Sequence, residues 1–235
     1  AFVAGGIQLP SNPAWSKLLN RLRELAATEG IAAELILVPP ELERSGGAAP
    51  AFGRNMSVVV YTPAFLYDWA DDLVRQSELT LIATDEQVGD AVGNLVTMDN
   101  YAAGFLAAEK LAERGYCKPV FVGNTMDWPE PYVPYRQRAA GFRAGCRKHG
   151  LDYEPSAEHW LGGASRLKHI ANLAQEVEAI RAGGYDAVFF YSDPEVEFFW
   201  EAAVQAKRIP EDLGLITVNS FSIATNHRPP IAAVS

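Results

Sequence analysis

The chain has 235 residues, 49% of them hydrophobic, enough to bury one large core or two modest ones. Its formal net charge of -9 repels phosphate backbones and anionic headgroups, which argues against the chain by itself gripping nucleic acid or a membrane surface. Two cysteines, Cys117 and Cys146, are too few and too far apart for a disulfide framework and read as free thiols of a reducing compartment.

The predicted elements alternate. Phe2–Ile7 is a short apolar strand, and Asn12 with Pro13 forms an N-cap and first helical position. Trp15, Leu18, Leu19, Leu22, Leu25 and Ala26 then recur at helical spacing until Gly30 stops the helix. Glu34–Val38 is a second strand. Pro39–Asn55, rich in Gly, Ala and Pro, supports only an irregular crossover. Met56–Tyr61 is a continuous apolar strand of the kind covered on both faces. A helix over Phe65–Gln76 and strands at Leu79–Ala83 and Leu95–Met98 follow.

At Asp99-Asn100 the pattern restarts. Helix Ala102–Arg114 leads to strand Pro119–Gly123, a loop of aromatics and prolines holding Trp128, and helix Tyr135–His149. A short strand near His159-Trp160, helix Ser165–Ala182, strand Ala187–Tyr191, helix Pro194–Lys207, strand Leu213–Val218 and the run Ile231–Val234 complete the series. Strands alternating with helices imply parallel sheets covered on both faces. Two such series predict two α/β lobes, residues 1–98 and 99–235, with a ligand cleft between them. The first residues read as a strand rather than a charged leader, so sequence is expected upstream. A further helix and strand are expected after Ser235. No apolar run is long enough to span a bilayer.

Catalytic and metal chemistry find no foothold. The four histidines, His149, His159, His169 and His227, show no zinc-binding helical spacing, and there is no Cys-x-x-Cys, nucleophile elbow or phosphate-cradling glycine loop. Gly5-Gly6 lacks the third glycine of a dinucleotide site. Asp71-Asp72 reads as a solvated helix face, as do Arg136, Arg143, Arg147 and Lys148. The chain is therefore expected to be no enzyme and to carry no cofactor.

Polar and aromatic residues gather instead at strand exits: Asn12 and Trp15, Asp99, Arg138 at a helix start, Trp160, Ser192 and Asp193, and Asn219. Exits of parallel strands share one sheet edge, where open α/β sheets bind small molecules. Carboxylate, amide and guanidinium groups hydrogen-bond hydroxyls, and an indole offers a flat apolar platform. This mixture suits a polar ring compound, a sugar being the simplest. Each residue also has a structural role open to it. Asn12, Asp99 and Asp193 serve equally as N-caps, Trp15 as core, Arg138 as one half of a surface ion pair, and Trp160 as lobe packing. Trp128 either covers the cleft or packs its own loop.

Four segments resemble the effector-binding domain of the lactose/galactose-repressor (LacI/GalR) transcriptional regulators. They are SNPAWSKLLNRLRELAATEGI, VTMDNYAAGFLAAEKLAERGY, RQRAAGF, and YSDPEVEFFWEAAVQAKRIPEDLGLITVNS with the following RPPIAAVS. The run Arg208-Ile209-Pro210-Glu211-Asp212 is the most specific of them. The resemblance implies a periplasmic-binding-protein-like fold of type I with two Rossmann-like lobes. It implies that Arg138 is the effector-binding arginine, Asp99 the cleft aspartate, and Trp160 an aromatic stacking on the bound ring. Trp15 keeps the second member of an aromatic pair whose first is Ala14 here. Ser192 stands where the family has asparagine, Thr217 where it has glycine, and Asn219 where it has an effector-contacting aspartate. A neutral amide at Asn219 weakens any preference for a cation. Implied partners are a small effector and, through an N-terminal helix-turn-helix head that this chain lacks, operator DNA. A cytoplasmic homodimeric repressor, free of membranes, is the expectation. The alternative is a periplasmic solute-binding protein of a sugar transporter, which uses the same fold.

Overall fold

Runs such as Leu35-Ile36-Leu37-Val38 and Val58-Val59-Val60-Tyr61 are apolar and rich in Cβ-branched Val and Ile, so they form strands. The structure is a computed structural model that describes residues 2–5, 13–32, 35–38, 58–62, 80–84, 94–125, 133–162, 166–192, 196, 199–201, 213–218 and 232–234. Its contacts divide the chain into two units, Ala1–Met98 and Asp99–Ser235.

In the first unit, β1 (Phe2–Gly5), β2 (Leu35–Val38), β3 (Val58–Thr62), β4 (Thr80–Thr84) and β5 (Asn94–Val96) form one parallel sheet in the order β2-β1-β3-β4-β5. Helix α1 (Pro13–Thr28) begins at its proline. It closes as a Schellman motif, with Gly30 at φ 68° and the Ile31 amide donating to the Ala26 carbonyl at 2.8 Å. The predicted strand Leu95–Met98 is instead β5, ending at Val96, because Thr97 to Asp99 lead straight into a helix cap. The expectations for Pro39–Asn55, Phe65–Gln76 and Asp71-Asp72 lie outside the described residues.

The second unit contains α2 (Asn100–Glu113), β6 (Pro119–Asn124), α3 (Val133–His149), β7 (Glu158–Leu161), α4 (Arg166–Gly183), β8 (Ala187–Phe190), β9 (Gly214–Val218) and β10 (Ala232–Val234). Its strands are again parallel, in the order β10-β9-β8-β6-β7. Helices α2 and α3 start two residues earlier than predicted, α2 because Asp99 caps it directly. The predicted helix Pro194–Lys207 is described only at Val196 and at 199–201, which are helical.

Residues paired across parallel strands share a face. Phe121, Phe189 and Ile216 line one face, where Phe142 of α3 meets Phe189 at 4.9 Å between ring centroids. Val122, Phe190 and Thr217 line the other, where Phe199 meets Phe190. All of these side chains are fully buried or nearly so. At the opposite edge from the strand exits, Asp186 accepts from the amides of Cys117 (2.7 Å) and Lys118 (2.9 Å), tying the entrance of β8 to that of β6.

Helices α2 and α3 meet backbone to backbone. A Cβ at Gly104 would lie closer than 3.0 Å to the Arg138 carbonyl, and one at Gly141 equally close to the Tyr101 carbonyl. Neither cysteine is bonded to another; Cys117 is exposed, and burial pushes the Cys146 thiol up to about 12. No helix among the described residues is long and apolar enough to cross a membrane.

On the second face His159 of β7 bonds Glu176 of α4 through Nδ1. That bond raises the His159 pKa above its ordinary 6.5. The folded state therefore holds the proton more tightly than the unfolded chain does. The stabilisation is complete below about pH 6.5 and is lost as pH rises through the raised value. The gap in urea midpoint between the parent and His159→Gln should be largest near about pH 6 and shrink as pH rises through the raised value. A gap that widened with pH would contradict this assignment.

Candidate functional site

Arg138 was the one basic residue of its cluster not assigned to the solvated face. Of that cluster Arg136, Arg143, Arg147 and Lys148 are exposed, with Arg143 paired to Glu158 at 2.8 Å, while Arg138 is only 4% exposed. That burial takes it off the surface, where an ion pair was weighed for it. Its Nε donates to Asn100 Oδ1 at 2.8 Å and its Nη1 to the Tyr191 carbonyl at 2.5 Å. These two acceptors are neutral and are fixed at the start of α2 and just beyond β8. The guanidinium also lies over the Tyr135 ring at 5.6 Å, and Tyr135 packs edge-on against Tyr191 at 4.6 Å. The Tyr191 hydroxyl in turn accepts from Asn124 Nδ2 at 3.2 Å, at the exit of β6.

The starts of α2 and α3 and the exits of β6 and β8 thus meet at one polar cluster. This is the carboxyl edge of a parallel sheet, where ligands bind in open α/β folds. Ser192, 9% exposed, directly follows Tyr191 there. Trp160 stands in register with Gly123, and its ring packs on Phe121 at 5.2 Å. A Cβ at residue 123 would lie 2.5 Å from that indole, so the glycine makes room for it. Packing therefore engages part of Trp160, while the residue as a whole stays partly exposed.

Asp99 is exposed and caps α2, its Oδ1 accepting from the Ala102 amide at 2.8 Å. Trp15 lies on α1 in the first unit; its side chain, together with Asn12, Trp128, Asp193 and Asn219, is outside the described residues. Thr217, in place of the glycine, is fully buried, and among the described residues its hydroxyl finds no hydrogen-bond partner. Among the described residues no group of His, Cys, Asp or Glu is placed to hold a metal ion.

Sequence reasoning missed Asn100, Asn124, Tyr135 and Tyr191. Asn100 had a visible signal, as the second member of the polar pair at Asp99. Tyr191 looked like the last apolar residue of a strand, and nothing local marks Asn124 as its partner 67 residues away.

A buried arginine aimed at the carboxyl edge of a doubly covered parallel sheet defines a binding-protein-like α/β domain. The chain belongs to the periplasmic binding protein-like domain family, which matches residues 108–235. A LacI family transcriptional regulator from Silicibacter pomeroyi is similar over 99% of this chain and 85% of its own, with 20% identity and a TM-score of 0.79. The transcriptional regulator CelR in complex with cellobiose is similar over 99% of this chain and 71% of its own, with 20% identity and a TM-score of 0.77. A periplasmic binding protein/LacI transcriptional regulator from Alkaliphilus metalliredigens, complexed with D-xylulofuranose, is similar over 99% and 83%, with 17% identity and a TM-score of 0.73. No curated protein matches the chain by sequence. The fold is thus the type I periplasmic-binding-protein-like α/β fold found in LacI-family regulators.

Proposed function

We propose that this chain is the effector-sensing domain of a LacI/GalR-type transcription regulator and that its effector is a sugar or a related small metabolite. The observation that carries this reading is the delivery of Arg138, buried and doubly bonded, to the carboxyl edge of the second sheet. The sugars bound by two proteins of the same fold support it. In this reading Arg138, Asp99, Ser192 and Trp160 contact the ligand from the second lobe, joined by Asp193 and Asn219. Asn12 and Trp15 contribute from the first. The effector, held by both lobes, favours one lobe arrangement and so shifts DNA affinity through an N-terminal head. The regulator acts in the cytoplasm as a homodimer and performs no catalysis.

A solute-binding role in transport is the second reading, and one structural neighbour carries both descriptions in its name. Titration calorimetry against a panel containing cellobiose, D-xylulose, D-galactose and D-glucose tests the site. One sugar should bind, and a folded Arg138→Lys variant should bind it at least about tenfold more weakly, since a point charge does not replace a planar fork. Equal affinity in the variant would refute the role of Arg138. Sugar-dependent release of operator DNA by the full-length protein separates regulator from transporter component.

A further inference from the structure

We propose that Asn100 is a positioning residue, holding Arg138 in the orientation in which its guanidinium meets the ligand. This rests on the sensing role assigned to Arg138 above. An arginine side chain has much rotamer entropy to lose, and ordering it before the ligand arrives removes that loss from binding. Asn100 is suited to the task. It is the first residue of α2 and only 1% exposed, and its Oδ1 takes the Nε–H of Arg138 at 2.8 Å across 38 residues of sequence.

The Tyr191 carbonyl takes Nη1. Two bonds to different nitrogens of one planar group determine its plane, which a single bond does not. The main chain under both partners is also held. Asp99 caps the helix that starts at Asn100. The glycine contacts set the separation of α2 and α3 at the Tyr101 and Arg138 carbonyls, one next to Asn100 and the other on the arginine itself. An amide suits this place better than a carboxylate. It accepts the Nε–H without itself neutralising the guanidinium, so this bond orients the group without cancelling its charge.

Side-chain proton–nitrogen correlation spectra test the positioning without any ligand. In the parent chain the Arg138 Nε–H should exchange with solvent at least about tenfold more slowly than that of exposed Arg21, as a buried bond demands. Asn100→Leu, matched in shape but without an acceptor, should lose that protection, and Asn100→Asp should keep it. Exchange at the Arg21 rate in the parent chain, or unchanged protection in Asn100→Leu, would overturn the proposal. The parent measurement decides the matter if Asn100→Leu does not fold. Calorimetry with cellobiose and D-xylulose adds the functional arm. Asn100→Leu should weaken whichever sugar the parent binds by about tenfold or more, with Asn100→Asp intermediate. Equal affinity in parent and Asn100→Leu would also overturn it. If the parent binds no sugar of any panel, the sensing role fails, while the exchange data still decide whether Asn100 holds Arg138.

Discussion

Gly141→Ala is expected to destabilise the protein by about 2–4 kcal/mol and to lower Tm by roughly 5–15 °C. In an exposed helix the same change stabilises by about 1 kcal/mol, because alanine has less backbone entropy to lose than glycine. Here the sign reverses. The added Cβ would lie closer than 3.0 Å to the carbonyl oxygen and carbon of Tyr101 in the facing helix, and those atoms are main chain and cannot rotate aside. Helices α2 and α3 must then separate, which loosens the contacts of Ala107, Ala108 and Phe142, all fully buried. Gly104→Ala should behave alike, since its Cβ would meet the Arg138 carbonyl. Differential scanning calorimetry of the two variants measures the effect. A Tm equal to or above that of the parent would show that the helices do not touch as described.

Arg138→Met is expected to be destabilising by about 3 kcal/mol, apart from its effect on binding. Methionine roughly fills the volume of the arginine stem, so cavity formation contributes little. The loss comes from Asn100 Oδ1 and the Tyr191 carbonyl, two acceptors left in a buried setting without the donors they now have. Removing both side-chain partners should be milder than the single change implies. Arg138→Met combined with Asn100→Leu should recover about 1 kcal/mol or more relative to the sum of the two single variants. Urea denaturation of the four proteins in this cycle provides the coupling energy. Strict additivity would mean that the bond between Asn100 and Arg138 contributes nothing to the folded state.

The strand-helix alternation was legible because it rests on local chemistry. Apolar runs such as Val58–Tyr61 form strands wherever a sheet can cover them, and Asp99 and Gly30 act within one helical turn of themselves. The separation of Arg138 from its basic neighbours was also legible, through the motif it shares with a known family. What holds Arg138 was not. Two of its partners lie 38 and 53 residues away, and both are neutral acceptors that no local pattern ties to it. The glycines of α2 and α3 were equally silent, since a glycine inside a helix reads only as a weak spot until the facing helix is known.

Sequence by itself determined the α/β class, the parallel sheets and the edge where polar residues would gather, because periodicity and capping are short-range properties of the chain. Only the tertiary structure decided which of those residues touch. It set Asn100, Tyr191 and Arg138 in one hydrogen-bonded group and left Asp99 as an exposed cap beside them. Contacts of that kind depend on strand order and on the spacing of two helices, and neither is written in any single stretch of sequence.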